Sequence, residues 1–151
     1  MKNDNKGFSL IELIVVIAIM AILVGVLAPN VLKYVESSRE SADKQVADTV
    51  RTAVMTALVD PAVNDGPTLP LAKTAIDAAP FIKADSNPTK FSSIFVENLG
   101  MSGSAAKAAL KSKKFNTGEI SVVITASNEV EVLIDSSDGN HQFSTKNGDV
   151  K

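Results

Sequence analysis

Cysteine is absent from all 151 residues. That excludes disulfide stapling, thiol nucleophiles and cysteine-based metal sites. It does not place the protein inside a cell, because an exported domain can do without disulfides. Histidine occurs once, as His141, in a predicted short strand beside a polar turn. It is expected to be an ordinary exposed or half-buried residue. An excess of basic residues is also missing: 15 Lys and Arg against 17 Asp and Glu leave a formal charge of −2. Direct nucleic-acid binding is therefore not expected, because that activity rests on cationic neutralisation of phosphates. The cluster Lys111-Ser112-Lys113-Lys114 is expected to mark a solvated helix end. Finally, charge of either sign is missing from the 20 residues between Leu13 and Leu32. As a helix, a stretch of this length crosses a roughly 30 Å hydrocarbon core.

At the front of this apolar run stands Glu12, in Lys6-Gly7-Phe8-Ser9-Leu10-Ile11-Glu12-Leu13-Ile14. An unpaired carboxylate costs about 2.5 to 3.5 kcal/mol at mid-helix on insertion scales, and less near an end. A plain anchor gains nothing from it, so Glu12 is expected to have a partner. Lys2 and Lys6 outweigh Asp4 before the run, whereas Lys33 and Arg39 are mixed with Glu36 and Glu40 after it. This imbalance weakly favours a cytoplasmic N-terminus, with export of the larger C-terminal part.

The run passes without turn residues into an amphipathic segment. Val35, Ala42, Val46, Val50, Val54 and Leu58 fall near one face, with Ala47, Ala53 and Ala57 beside them. Arg39, Glu40, Asp43, Lys44, Asp48 and Arg51 are expected mainly on the remaining surface. The pattern predicts one helix from Phe8 to the Asp60-Pro61 stop, 52 residues to Val59, or roughly 78 Å. Gly25 and Pro29 interrupt it: Pro29 cannot donate to the Gly25 carbonyl and crowds it, so a bend or an opened turn is expected there.

Residues 60–70, with three prolines and Asn64-Asp65-Gly66, read as a loop. Short helices are expected at Leu71–Ala79, Thr89–Leu99 and Ser104–Lys113, the last capped by Ser104 or Ser102. Gly100-Met101-Ser102-Gly103-Ser104 reads as a flexible connection, and Phe91 and Phe95 as core. Beyond this the period becomes two. Ile120–Ala126 and Val130–Ile134 are predicted as an antiparallel hairpin about Ser127-Asn128, and Asp138-Gly139-Asn140 turns the chain into a third strand, His141–Thr145. Asn147-Gly148 offers a further turn. The expected fold class is α+β: a long N-terminal helix whose second half, through Val46, Val50, Val54 and Leu58, covers a small C-terminal antiparallel sheet.

No catalytic, cofactor-binding or metal site is expected, and the chain does not read as an enzyme. Asp135, Asp138 and Asp149, with Asn140 and Asn147, gather oxygen atoms near one sheet edge. Their spacing does not match an EF-hand loop, and a solvated turn is the preferred reading. Ser37 and Ser38 have no activating base nearby in sequence.

On Gly7-Phe8-Ser9-Leu10-Ile11-Glu12, the apolar run and Pro29, the chain resembles the type IV prepilins, a family that includes pilins and the pseudopilins of type II secretion and DNA uptake. The resemblance is specific over residues 1 to about 35. It implies that a prepilin peptidase cuts after Gly7 and that Phe8 becomes an N-methylated first residue. It implies a leader over 1–7, a membrane-spanning and fibre-core helix over 8–32, its amphipathic continuation over 33–59 and a head over 60–151. It also implies a single-pass precursor in the cytoplasmic (inner) membrane that is extracted into a homo-oligomeric helical filament at the cell surface, driven by an assembly platform and its ATPase. The new amine of Phe8 then gives Glu12 its partner on an adjacent subunit, and Gly25 and Pro29 become a segment able to open in the fibre. The function so implied is a structural pilus subunit serving adhesion or motility. The alternatives are a pseudopilin of secretion or competence machinery and a standalone membrane-anchored binding domain. Many Gram-negative relatives close a C-terminal loop with a disulfide, which this chain cannot do.

Overall fold

The computed structural model describes residues 8–63, 67, 69, 71–81 and 89–149. The expected leader 1–7, the Asn64-Asp65-Gly66 turn and the side chain of Asp149 lie outside them. The fold is the expected α+β arrangement: a long helix α1 (Leu10–Val59) with a C-terminal antiparallel sheet. The chain divides into two compact units, one up to Glu36 and one from Ser37 onward, and α1 contributes to both.

In the first unit α1 begins at Leu10 rather than Phe8. The Ser9 carbonyl accepts the amide of Leu13 at 3.3 Å, so Ser9 takes the N-cap position. The aliphatic side chains from Leu10 to Leu32 are exposed. Helix continues through Gly25 and Pro29. The side-chain amide of Asn30, one residue beyond the proline, donates to the Val26 carbonyl at 3.3 Å. A Cβ built on Gly25 would meet no atom within 4 Å, so nothing within the chain requires a glycine there.

The second unit is the head. Asp43, Ala47, Val50, Ala53, Val54 and Ala57 form the buried stripe of α1. Val46 and Leu58 are half-buried, and Val35 and Ala42 are exposed. The packed face is thus rotated from the valine-centred stripe expected from sequence, onto alanines whose small side chains let the helix backbone approach its cover. Asp43, expected on the polar surface, is only 1% exposed.

The head sheet has five antiparallel strands in sequential order: β1 (Leu71–Ala75), β2 (Glu119–Ile124), β3 (Val130–Asp135), β4 (Gln142–Ser144) and β5 (Gly148–Asp149). The predicted hairpin is present, with Ile120 opposite Ile134 and Val122 opposite Val132. Leu71–Ala79, expected as a helix, is instead β1 followed by a turn. Its Leu-Ala-Lys-Thr-Ala sequence is helix-tolerant, but the unpaired edge of β2 supplies a ladder, with Leu71 opposite Ile124 and Ala75 opposite Ser121. Backbone pairing overrides the local preference.

Helix α2 (Lys90–Leu99) is capped by Thr89, whose hydroxyl accepts the Ser92 amide at 3.0 Å. Its Phe91 and Phe95 are buried, as expected, against Phe81 with ring centroids 5.9 and 5.3 Å away. Helix α3 (Gly103–Ala108), capped by Ser102, stops five residues short of the expected Lys113. The reason is Asp43: its carboxylate accepts the backbone amides of Lys111 at 2.8 Å and Ser112 at 2.9 Å, drawing that segment onto α1. Lys114 adds an ion pair to Glu40 at 3.0 Å. The lysine cluster is therefore a docked turn and not a solvated helix end.

Candidate assembly site on the N-terminal helix

The first turn of α1 carries the chemistry that the sequence singled out. Ser9-Leu10-Ile11-Glu12 has the Ser-x-x-Glu spacing of a capping box, in which the third helical residue reaches back to the cap amide. The structure realises that contact: Glu12 Oε2 accepts the Ser9 amide at 2.8 Å. An anionic side chain in the first turn also opposes the positive end of the helix dipole. Around the carboxylate, Phe8, Ile11, Val15 and Val16 line a shallow apolar cleft. Phe8 is 94% exposed. Glu12 is thus a charge held at the edge of an apolar surface, with one oxygen engaged by its own backbone.

Of the residues named from sequence, Phe8 and Glu12 are brought together at this cleft. Gly25 and Pro29 lie further along the helix, and Gly7 is outside the described residues. Sequence reasoning missed Ser9 as a cap, although the Ser-x-x-Glu spacing was legible. It also missed Asn30, whose amide is a polar group at the end of the apolar run.

At the polar sheet edge the described carboxylates are held by neighbouring side chains. Asp135 pairs with Lys73 at 2.7 Å and accepts Gln142 at 2.5 Å. Asp138 closes its own turn, accepting the Ser136 hydroxyl and, at 3.0 Å, both the backbone and side-chain amides of Asn140. Among the described residues no three His, Cys, Asp or Glu side chains gather as a metal site would require. His141 is half-buried, and its backbone amide donates to Ser136 Oγ at 3.0 Å.

These hydrogen bonds, led by that from Ser136 and followed by those from Asn140, lower the Asp138 pKa from 3.8 to about 2. A depressed carboxylate stabilises the fold above its unfolded pKa, and the contribution is lost as pH falls through the folded value. Carboxyl NMR of Asp138 is accordingly expected to titrate near pH 2. The Asp138→Asn variant is expected to lose stability less steeply between about pH 4 and pH 2, read as a flatter dependence of the unfolding midpoint on pH.

With this geometry in place, comparison with known proteins is decisive for the N-terminal segment. The family model described as the prokaryotic N-terminal methylation motif matches residues 2–28. The N-terminal segment is thus similar to that of prepilins. Curated relatives include a prepilin peptidase-dependent protein A of Clostridium perfringens, 39% identical over 67 residues, which cover 44% of this chain and 48% of the relative. A type IV major fimbrial protein of Dichelobacter nodosus is 40% identical over 60 residues, covering 40% of this chain and 38% of that protein. The major component of a type IV wide pilus of Thermus thermophilus is 50% identical over 53 residues, covering 35% and 34%. The chain therefore spans half or less of the length of the curated relatives it matches. No solved structure matches significantly. Helix α1 is also the one described helix long and apolar enough to cross a membrane, by length and composition.

Proposed function

We propose that the chain is a structural subunit of a type IV pilus: a single-pass membrane precursor that polymerises through its N-terminal helix into a surface filament. The observation that carries this reading is Glu12, an acidic residue in the first turn of α1, at the front of a stretch that is otherwise uncharged, apolar and exposed up to Leu32 and begins within a methylation motif. The relatives' names support it, since those proteins are pilus components or depend on a prepilin peptidase.

In this account a prepilin peptidase removes residues 1–7 after Gly7, and Phe8 becomes the N-methylated first residue. Residues 8–32 span the membrane and later form the fibre core, 33–59 continue the helix and 60–151 supply the head. Before assembly the Ser9 amide engages one oxygen of Glu12. During assembly the cationic amine of a neighbour's Phe8, whose reference pKa lies near 8, meets the Glu12 carboxylate in the dehydrated fibre core. A matched pair is tolerable there, whereas a mismatched subunit leaves a buried charge, so the pair sets register as subunits are added. The Gly25–Pro29 segment opens when the fibre stretches, because Pro29 already leaves the Gly25 carbonyl without its helical donor and Gly25, a weak helix residue, gives up helical geometry at little cost. The subunit is building block and substrate of the machinery, not an enzyme; an assembly platform and a separate ATPase supply the work.

Intact mass of the mature protein tests the first step. It is expected to begin at a singly methylated Phe8, and a mature start beyond Ala28 would instead identify a secretory signal and defeat the proposal. Electron microscopy of sheared surface material with antibody against residues 60–151 tests the second. Labelled filaments are the expected result, and filaments absent from cells that process the protein would count against a pilus subunit.

A further inference from the structure

We infer that the head carries a preformed groove for the apolar helix of a second copy, built around Met101. This deepens the pilus reading and rests on it. Ala42, Gln45, Val46 and Thr49 form one wall over two turns of α1, and Leu99 and Met101 form the other. None of the six is charged. The Thr49 hydroxyl is already donated to the Gln45 carbonyl at 2.8 Å. The cleft measures about 220 Å³, more than the roughly 150 Å³ apolar cavity that suffices for a benzene ring. A wall made by residues at helical spacing suits the ridge of another helix.

The placement of Met101 is built into the fold. Gly100 ends α2 in a left-handed conformation at φ 72°, its amide donating to the carbonyls of Val96 at 3.0 Å and Glu97 at 3.2 Å. Two residues on, the Ser102 hydroxyl caps α3 by accepting the Ala105 amide at 3.2 Å. Met101 is the single residue between these two caps, and it stands 42% exposed. The stretch Gly100–Ser104, expected to be a flexible connection, is therefore a doubly capped link that displays a large apolar side chain. Methionine at such a position adapts to an irregular aliphatic surface.

The occupant follows from charge and from what the chain leaves uncovered. An uncharged cleft fits an uncharged partner, and this chain exposes one: the aliphatic helix between Leu10 and Leu32. A groove on one part of a molecule that fits a patch elsewhere on its copy makes a head-to-tail contact. Repetition of that contact builds an open helical filament rather than a closed dimer.

Photo-crosslinking of the full chain in producing cells tests this, with p-benzoylphenylalanine at position 101 and adducts mapped by mass spectrometry. Residue 101 is exposed, so the head is expected to unfold at the wild-type temperature. The expected result is a self-adduct within residues 10–32 of a second copy, together with filaments in the sheared fraction. Filaments without that adduct, or with position 101 joined only to another head or to a different protein, overturn the groove and leave the pilus reading standing. Absence of filaments from wild-type cells overturns the pilus reading and the groove with it.

Discussion

Glu12→Ala is expected to be processed and inserted like the wild type and to lose filament yield by about two orders of magnitude. Breaking one partner of a buried ion pair costs about 3 to 5 kcal/mol, and 3 kcal/mol is about a hundredfold in each subunit-addition equilibrium. The structure gives Glu12 a contact of its own besides the proposed pairing. Glu12 also caps its own helix through the Ser9 amide at 2.8 Å, and alanine removes both functions. Glutamine at the same position keeps a capping oxygen, since the capping box accepts Glu or Gln, but carries no charge for a neighbour's amine. Glu12→Gln is therefore expected to retain the helix start, read as protection of the Ser9 amide from hydrogen exchange, and still to assemble as poorly as Glu12→Ala. Quantification of sheared filaments against membrane-resident subunit measures both variants. Wild-type yield from Glu12→Gln would reduce Glu12 to a cap and remove the pairing from the account.

The second large effect is expected at Asp43, on the buried stripe of the amphipathic half of α1. Its carboxylate is 1% exposed and holds the amides of Lys111 and Ser112. Removal of the acceptor leaves the buried Ser112 N–H and the part-buried Lys111 N–H without their partner, at about 1 to 3 kcal/mol for each that stays unsatisfied. Asp43→Ala is expected to destabilise the head by about 3 kcal/mol, which for a domain of this size lowers the unfolding midpoint by roughly 10 °C. Asp43→Asn retains one acceptor oxygen and is expected to lie between the alanine variant and wild type. Thermal unfolding of the full chain in detergent micelles, followed by circular dichroism, reads both. Hydrogen exchange should show the loss concentrated in residues 109–117, because those residues leave helical geometry to reach Asp43. An unfolding midpoint unchanged in Asp43→Ala would mean that the amides find water instead.

Legibility in the sequence followed the range of the interaction. The strands Val130–Asp135 and Glu119–Ile124 announced themselves because period-two alternation is written within six residues. Phe91 and Phe95 were legible for a similar reason, being large apolar groups one helical turn apart. Leu71–Ala75 was not, since its helix-tolerant residues became a strand only when the free edge of β2 came alongside. The charge of Asp43 argues for solvent, and only the two amides arriving from a segment 68 and 69 positions away make its burial tolerable. At the N-terminus, Phe8 and Glu12 were readable as a pair of interest. The Ser9 contact that positions Glu12 is equally local, written in the Ser-x-x-Glu spacing.

By itself the sequence determined the N-terminal methylation motif, the uncharged stretch from Leu13 to Leu32, the absence of disulfide chemistry and the hairpin, all of which depend on identity and spacing over a few residues. Tertiary structure alone decided which stripe of α1 is buried, that the sheet has five strands and where α3 ends. Each of those outcomes satisfies backbone donors and acceptors, or apolar surface, with partners far away along the chain. Such partners exist only once the head has folded, and no local pattern encodes them.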